Sequence, residues 1–113
     1  MDISLKQIDQ TTLVSVSGSV DALTAGEVAS FLSAQIDSGH KHIVADLSQV
    51  DFMSSAGLRA ILAALKQTRQ QGGDLRLAAA QPGVEKVLNM SGFTSILKFY
   101  ATVDEAVTSF KSS

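Results

Sequence analysis

The chain opens with apolar residues spaced as in short strands. Ile3, Leu5 and Ile8 precede the polar stretch Asp9-Gln10-Thr11-Thr12, and Val14 and Val16 follow on one face while Leu13 falls off it. Two strands joined by a turn account for this alternation. The spacing then changes to that of a helix. Thr24-Ala25-Gly26-Glu27 has the order of a capping box, in which a hydroxyl and a carboxylate satisfy the free backbone amides of a first helical turn. Val28, Phe31, Leu32 and Ile36 form the apolar stripe behind it, and Gly39 is placed to end the helix. His42 to Leu47 is β-branched and almost continuously apolar, as expected of a central strand covered on both faces.

A second helix carries Leu58, Ile61, Leu62 and Leu65 and stops before Gly72-Gly73, and Asp74 to Ala79 reads as the next strand. A strand, a helix and a strand in that order predict a right-handed parallel crossover. Pro82 suits the first turn of a third helix bearing Val84, Val87 and Leu88. Ile96 to Tyr100 is expected as an edge strand. Thr102-Val103-Asp104-Glu105 repeats the capping spacing ahead of a last stripe of Val103, Ala106, Val107 and Phe110. Neither repeats, low-complexity tracts nor linkers interrupt the pattern. The expectation is one α/β domain over residues 1–113, a mixed sheet that starts with an N-terminal hairpin, with about four helices.

Composition narrows the function. At 113 residues the chain is the length of one ordinary domain, and 45% hydrophobic residues suffice for a continuous core. It contains no cysteine, so neither disulfides nor thiolate chemistry can contribute. Nine basic residues are spread along the chain against eleven acidic ones, for a net charge of -2, which leaves no electrostatic footprint for nucleic acid. With no Trp and one Tyr there is no aromatic platform for stacking bases. The first twenty residues show no signal-peptide pattern, and the longest apolar run, Ala60 to Leu65, is far short of a membrane span. Membrane insertion is not expected, and the expected location is the cytoplasm.

One segment has chemistry beyond folding. DFMSSAGLRAIL, residues 51–62, leads from the carboxyl end of the central strand into the second helix. Function in open α/β sheets gathers at such ends, where loops and helix N-termini form a polar crevice. Ser54 and Ser55 fall there and admit two readings. Either hydroxyl can cap the helix. The same helix N-terminus can also tolerate a phosphate, whose charge of about -1.5 to -2 at neutral pH would then act mainly on a docked partner. Gly57 can let a partner approach the backbone or can be incidental.

Other chemistries fit poorly. The nucleophile-elbow pattern G-x-S-x-G is absent, and His40 and His42 lie at the opposite end of the central strand, on the order of 15 to 20 Å from Ser55. A nucleophile and its base must sit about 3 Å apart. The two histidines lack a third ligand for zinc and mark the solvated start of a strand. Asp21, Asp46 and Asp51 do not follow the order of a magnesium-binding receiver pocket, and Asp46 is expected to be paired or hydrogen-bonded at the strand end. No G-x-x-x-x-G-K-[ST] loop exists, so any ATP belongs to a partner. The chain is expected not to be an enzyme and to need no cofactor and no metal.

The chain resembles the STAS domains, and among them the anti-sigma-factor antagonists of bacterial partner-switching systems. The resemblance runs over GSVDALTA at 18–25, HIVADLSQVDFMSSAGL at 42–58, the Gly-Gly before a strand and VEKVLNMSGF at 84–93. The family loop commonly reads Asp-Ser-Ser-Gly-Leu or Asp-Ser-Thr-Gly-Leu, with the first hydroxyl residue phosphorylated. Aligned on Gly57-Leu58, that acceptor falls on Ser55, while Ser54 replaces the family Asp and Ala56 the second hydroxyl residue. Ser54 remains a second candidate acceptor. Asp21 matches an acidic residue that helps in partner recognition or phosphorylation, although alone it reads as a loop residue ahead of Thr24.

Partner contacts are expected from Asp21, Ser54, Ala56, Gly57, Leu58 and Met90. Met53, Met90, Leu58 and Phe93 can supply the apolar part of that surface or pack in the core. The resemblance implies a phosphoprotein of signal transduction and transcription regulation. Its partners would be an anti-sigma factor that is also a serine kinase with its own bound ATP, and a phosphatase. The unphosphorylated form would bind the kinase and free its client, and phosphorylation of Ser55 would end binding. The alternative is a non-switching scaffold subunit of a larger regulatory or transport complex.

Overall fold

The fold is seen in a computed structural model that describes residues 1–92 and 95–111. β1 (Asp2–Ile8) and β2 (Thr11–Val20) form the antiparallel hairpin, closed by the pair Ile8 and Thr11 around Asp9 and Gln10. The turn is shorter than the polar stretch suggested, because Thr11 and Thr12 already belong to β2. Asp9 adopts φ 54, a left-handed conformation that Asp tolerates. α1 (Ala25–Asp37) leads to β3 (His42–Met53), and α2 (Ser55–Gln70) to β4 (Asp74–Ala78). α3 (Pro82–Met90), β5 (Lys98–Tyr100) and α4 (Val103–Lys111) complete the chain.

The five strands stand in the order β1-β2-β3-β4-β5, all parallel to their neighbours except the β1–β2 pair. α1, α2 and α3 cover one face, where Leu32, Ile36, Leu65 and Leu88 meet Val14, Ile43, Leu47, Leu75 and Leu77. α4 covers part of the other face through Ala106 and Val107, packed on Val44 and Ala78. Leu13, off the pattern in the sequence, belongs to this second cluster.

β3 is the central strand, but it is twice as long as the apolar run His42 to Leu47. Past Asp46 it loses β4 and pairs with β2 alone, through irregularities between Ser15 and Ser17 and between Gly18 and Ser19. Val50 and Met53 still face the core there, while Gln49, Asp51 and Phe52 are exposed, so the segment lacks the look of a buried strand. The extra length puts His42 on the order of 30 Å from Ser55, further than the short strand suggested. Asp46 lies mid-strand and accepts hydrogen bonds from the Ser15 hydroxyl (3.3 Å) and the Ser48 amide (3.0 Å).

The capping box expected at Thr24 does not form. Thr24 has helical torsions and its side chain caps no helix amide. Its hydroxyl turns back, donating to the Ser19 carbonyl (2.8 Å) and accepting from the Asp21 amide (2.9 Å). At Thr102 the hydroxyl does accept from the Glu105 amide, at 3.1 Å.

At the opposite end of the sheet, buried Asp74 binds Arg76 (3.0 Å) and Arg69 (3.2 Å). Arg76 reaches the Ser109 hydroxyl (2.8 Å) and lies 4.0 Å over the Phe110 ring, which fastens α4 to the sheet. Next to this network Gly73 has no room for a side chain, since a Cβ there would collide with the backbone carbonyl of Lys41. Gly83, on α3, faces open space. We therefore expect Gly73→Ala to destabilise the protein by about 3 kcal/mol in urea unfolding. Gly83→Ala should stabilise it by roughly 0.5 kcal/mol, through the entropy of the unfolded chain. Equal effects at the two positions would contradict this packing.

Candidate functional site

The carboxyl ends of β2 and β3 come together at the start of α2. The Ser54 amide donates to the carbonyl of Val20 at 2.8 Å, so the last residue of β2 holds the residue that turns β3 into α2. Only Ser54 separates strand from helix. This turn is so tight because Gly57 presses on β2: a Cβ there would stand 2.7 Å from Cγ1 of Val20 and 3.0 Å from Cγ of Met53. The buried face of Gly57 thus serves packing between elements of this chain, and Leu58, only 4% exposed, does the same. Neither offers a side chain to a partner. Met53 is likewise buried in the core.

The two serines have different surroundings. Ser54 is the N-cap: its torsions are extended and its hydroxyl accepts from the Gly57 amide at 3.3 Å. Ser55, the first residue of α2, is exposed, and no hydrogen bond of its hydroxyl is found among the described residues. The first turn of α2 contains no acidic residue. Arg59, also exposed, stands four residues on, on the same helical face as Ser55. The helix dipole, and Arg59 one turn on along the same exposed face, make the Ser55 position tolerant of negative charge.

Asp21 is brought beside this junction, because it follows Val20 directly. Its Oδ1 accepts from the amides of Leu23 (2.9 Å) and Thr24 (3.1 Å), forming a tight polar turn between β2 and α1. Those two amides, the Leu23 amide first, hold the carboxyl of Asp21 below the ordinary carboxylate range. The Ser19 hydroxyl donates to Asp51 at 2.8 Å, a second tie between the ends of β2 and β3. Leu23 is 92% exposed at the tip of this loop, and Phe52 is 52% exposed next to Met53.

A STAS domain model matches residues 2–106 of the chain. The chain belongs to the STAS domain family. A protein of Bordetella bronchiseptica, BtrV, whose name assigns it provisionally as an anti-sigma factor antagonist, is 35% identical over 113 residues, covering 100% of this chain and 97% of its own. The anti-sigma F factor antagonist of Paenibacillus polymyxa is 30% identical, over 96% of this chain and 93% of its own. The STAS fold also matches the crystal structure of an anti-sigma factor antagonist from Mycobacterium paratuberculosis with a TM-score of 0.88, at 27% identity over 96% of this chain and 92% of that one. The unphosphorylated form of the antagonist SpoIIAA shares the fold at a TM-score of 0.84 and 21% identity, over 99% of this chain and 98% of that one.

Within this STAS domain the residues singled out from the sequence divide. Asp21, Ser54, Ser55 and Ala56 gather at the β2–β3–α2 junction. Met90 is 78% exposed but sits on the last residue of α3, outside the hydrogen bonds that build the junction. Phe93 lies outside the described residues. Ser19, Asp51, Leu23 and Phe52 were not foreseen, since their place depends on the β2–β3 register and on the length of β3. An Asp three residues ahead of a Thr was the one available signal for the Asp21 turn.

Ser54→Ala should cost about 1 kcal/mol in chemical denaturation through loss of the cap. Ser55→Ala should stay within roughly 0.5 kcal/mol of wild type. A larger loss at Ser55 would reverse the assignment. The depressed Asp21 carboxyl favours the folded state above the ordinary carboxylate range, and that contribution drains away as pH falls through the native value. Carbon-detected NMR titration should find the Asp21 midpoint below that of an unstructured aspartate; a midpoint at or above it would refute the turn.

Proposed function

We propose that this STAS domain is an anti-sigma-factor antagonist that switches partners through phosphorylation of Ser55. The observation that carries the reading is the division of labour between adjacent serines: Ser54 is engaged as the cap, while the Ser55 hydroxyl faces solvent at a helix start that accepts negative charge. The names of the Bordetella and Paenibacillus relatives support the output. SpoIIAA, which shares the fold, exists in unphosphorylated and phosphorylated forms.

In this mechanism the unphosphorylated domain docks its β2–α1 loop and the start of α2 on an anti-sigma factor that is itself a serine kinase. Leu23 and Phe52 provide apolar contact beside the Asp21 turn, and the docked partner releases its client. The partner holds the ATP. The Ser55 oxygen attacks the γ-phosphorus, the bond to the β–γ bridging oxygen breaks, ADP departs, and a base of the kinase takes the hydroxyl proton. The phosphate stays at the N-terminus of α2 near Arg59, so the fold persists and the cost falls on the partner surface. A phosphatase restores the docking form. The domain therefore acts as substrate and ligand in the cytoplasm, with catalysis supplied by its partners.

The reading is checked with the cognate kinase and ATP. Ser55→Ala should lose phosphate incorporation, whereas Ser54→Ala, stable enough to remain folded, should retain it. Ser55→Glu should bind the kinase at least about tenfold more weakly than wild type, with an unchanged far-UV spectrum. Phosphorylation of Ser55→Ala at the wild-type rate would sink the site. Unaltered affinity of Ser55→Glu would sink the switch and leave a fixed scaffold role.

A further inference from the structure

Among the described residues β1 is the outermost strand of the sheet, with β2 as its only strand neighbour, and all its residues but Ile3 and Ile8 are exposed. Edge strands of soluble proteins are commonly blunted by a proline, a bulge or a charge with no counterpart. β1 has no proline, and its seven residues pair with β2 in an unbroken register. Its one cation, Lys6, has a carboxylate four residues away, Asp2, on the same face of the strand. Ile3 and Leu5 share the other face, opposite Val16 and Val14, and Leu5 is 46% exposed.

We propose that β1 is a homodimerisation edge, occupied by β1 of a second copy in antiparallel register centred on Ser4. That register sets Asp2 of each copy opposite Lys6 of the other, and Ile3 opposite Leu5. Both ion pairs and both apolar pairs form at once, on opposite faces of the joined sheet. Shifting by two residues either way leaves Asp2 and Lys6 without each other, and shifting by one sets apolar against polar faces. The self-complementarity of the sequence Asp2-Ile3-Ser4-Leu5-Lys6 therefore selects both the occupant and the register. The two-fold axis stands perpendicular to the sheet at Ser4. It makes a ten-stranded sheet whose α1–α3 layers lie on one side and whose two Ser55 sites face away from each other, so each dimer can hold two partners.

The test uses the whole chain and charge reversal at exposed positions. Wild type in sedimentation velocity should shift from monomer to dimer as concentration rises. Asp2→Lys alone and Lys6→Asp alone should each weaken association at least about tenfold, since like charges then face each other. An equimolar mixture of the two variants should restore it as a heterodimer, in which Lys meets Asp at both positions. The chain has no cysteine of its own, so Ser4→Cys should cross-link into a covalent dimer under mild oxidation while Gln7→Cys should not. Wild type that stays monomeric at millimolar concentration overturns the proposal. So do single reversals that associate like wild type, a mixture that fails to recover, or Ser4→Cys that cross-links no faster than Gln7→Cys.

Discussion

The site depends on one backbone hydrogen bond, from the amide of Ser54 to the carbonyl of Val20 at 2.8 Å. It locks the end of β2 to the point where β3 becomes α2, and it works only because Gly57 lets the helix settle against Val20 and Met53. With that contact in place Ser54 must act as the cap, and Ser55 is carried out to solvent at the first helical position. Asp21, one residue beyond Val20, is then fixed beside the junction by the amides it collects from Leu23 and Thr24. The arrangement is rigid where it is built and bare where a partner would touch it.

Such a junction suits a charge that comes and goes. A phosphate on a mid-strand or buried serine would have to be desolvated and would break the fold, at a cost of several kcal/mol. At the start of α2 the same group would meet the positive end of the helix dipole, with Arg59 one turn on along the same exposed face, and it would not have to enter the core. Under the proposed switch, the difference between the two states would be read outside the domain, as charge and bulk near the exposed Leu23 and Phe52. A small domain can carry information in this way, because a change of a few kcal/mol in docking is enough to redistribute a larger partner between complexes.

Much of the fold was legible from the sequence because local patterns and packing agree in it. The β-branched run at His42, the stripes of α1 and α2, and Pro82 at the head of α3 each announce the element they form. The far half of β3 was hidden, since past Asp46 it pairs with one strand and its buried residues, Leu47, Val50 and Met53, recur at every third position instead of every second. Thr24 misled because its hydroxyl is engaged by the Ser19 carbonyl at the end of β2 and the Asp21 amide in the loop, and not by the helix amide it was expected to cap. At the site, the position of Ser55 relative to Gly57-Leu58 was plain. The pairing of Ser19 with Asp51 was not, because it arises from a β2–β3 register that an extra β3 residue shifts at each of two irregularities. The packing role of Gly57, whose missing side chain admits Val20 of β2, was not legible from the sequence, because it depends on how α2 settles on β2.

The division between the two serines is tested most directly by locating the phosphate itself. After reaction with the partner kinase and ATP, the tryptic peptide spanning residues 42–59 contains Ser48, Ser54 and Ser55, and fragment-ion mass spectrometry separates the three. The account predicts phosphate on Ser55 alone. Phosphate on Ser54, the residue engaged in capping α2, would contradict it.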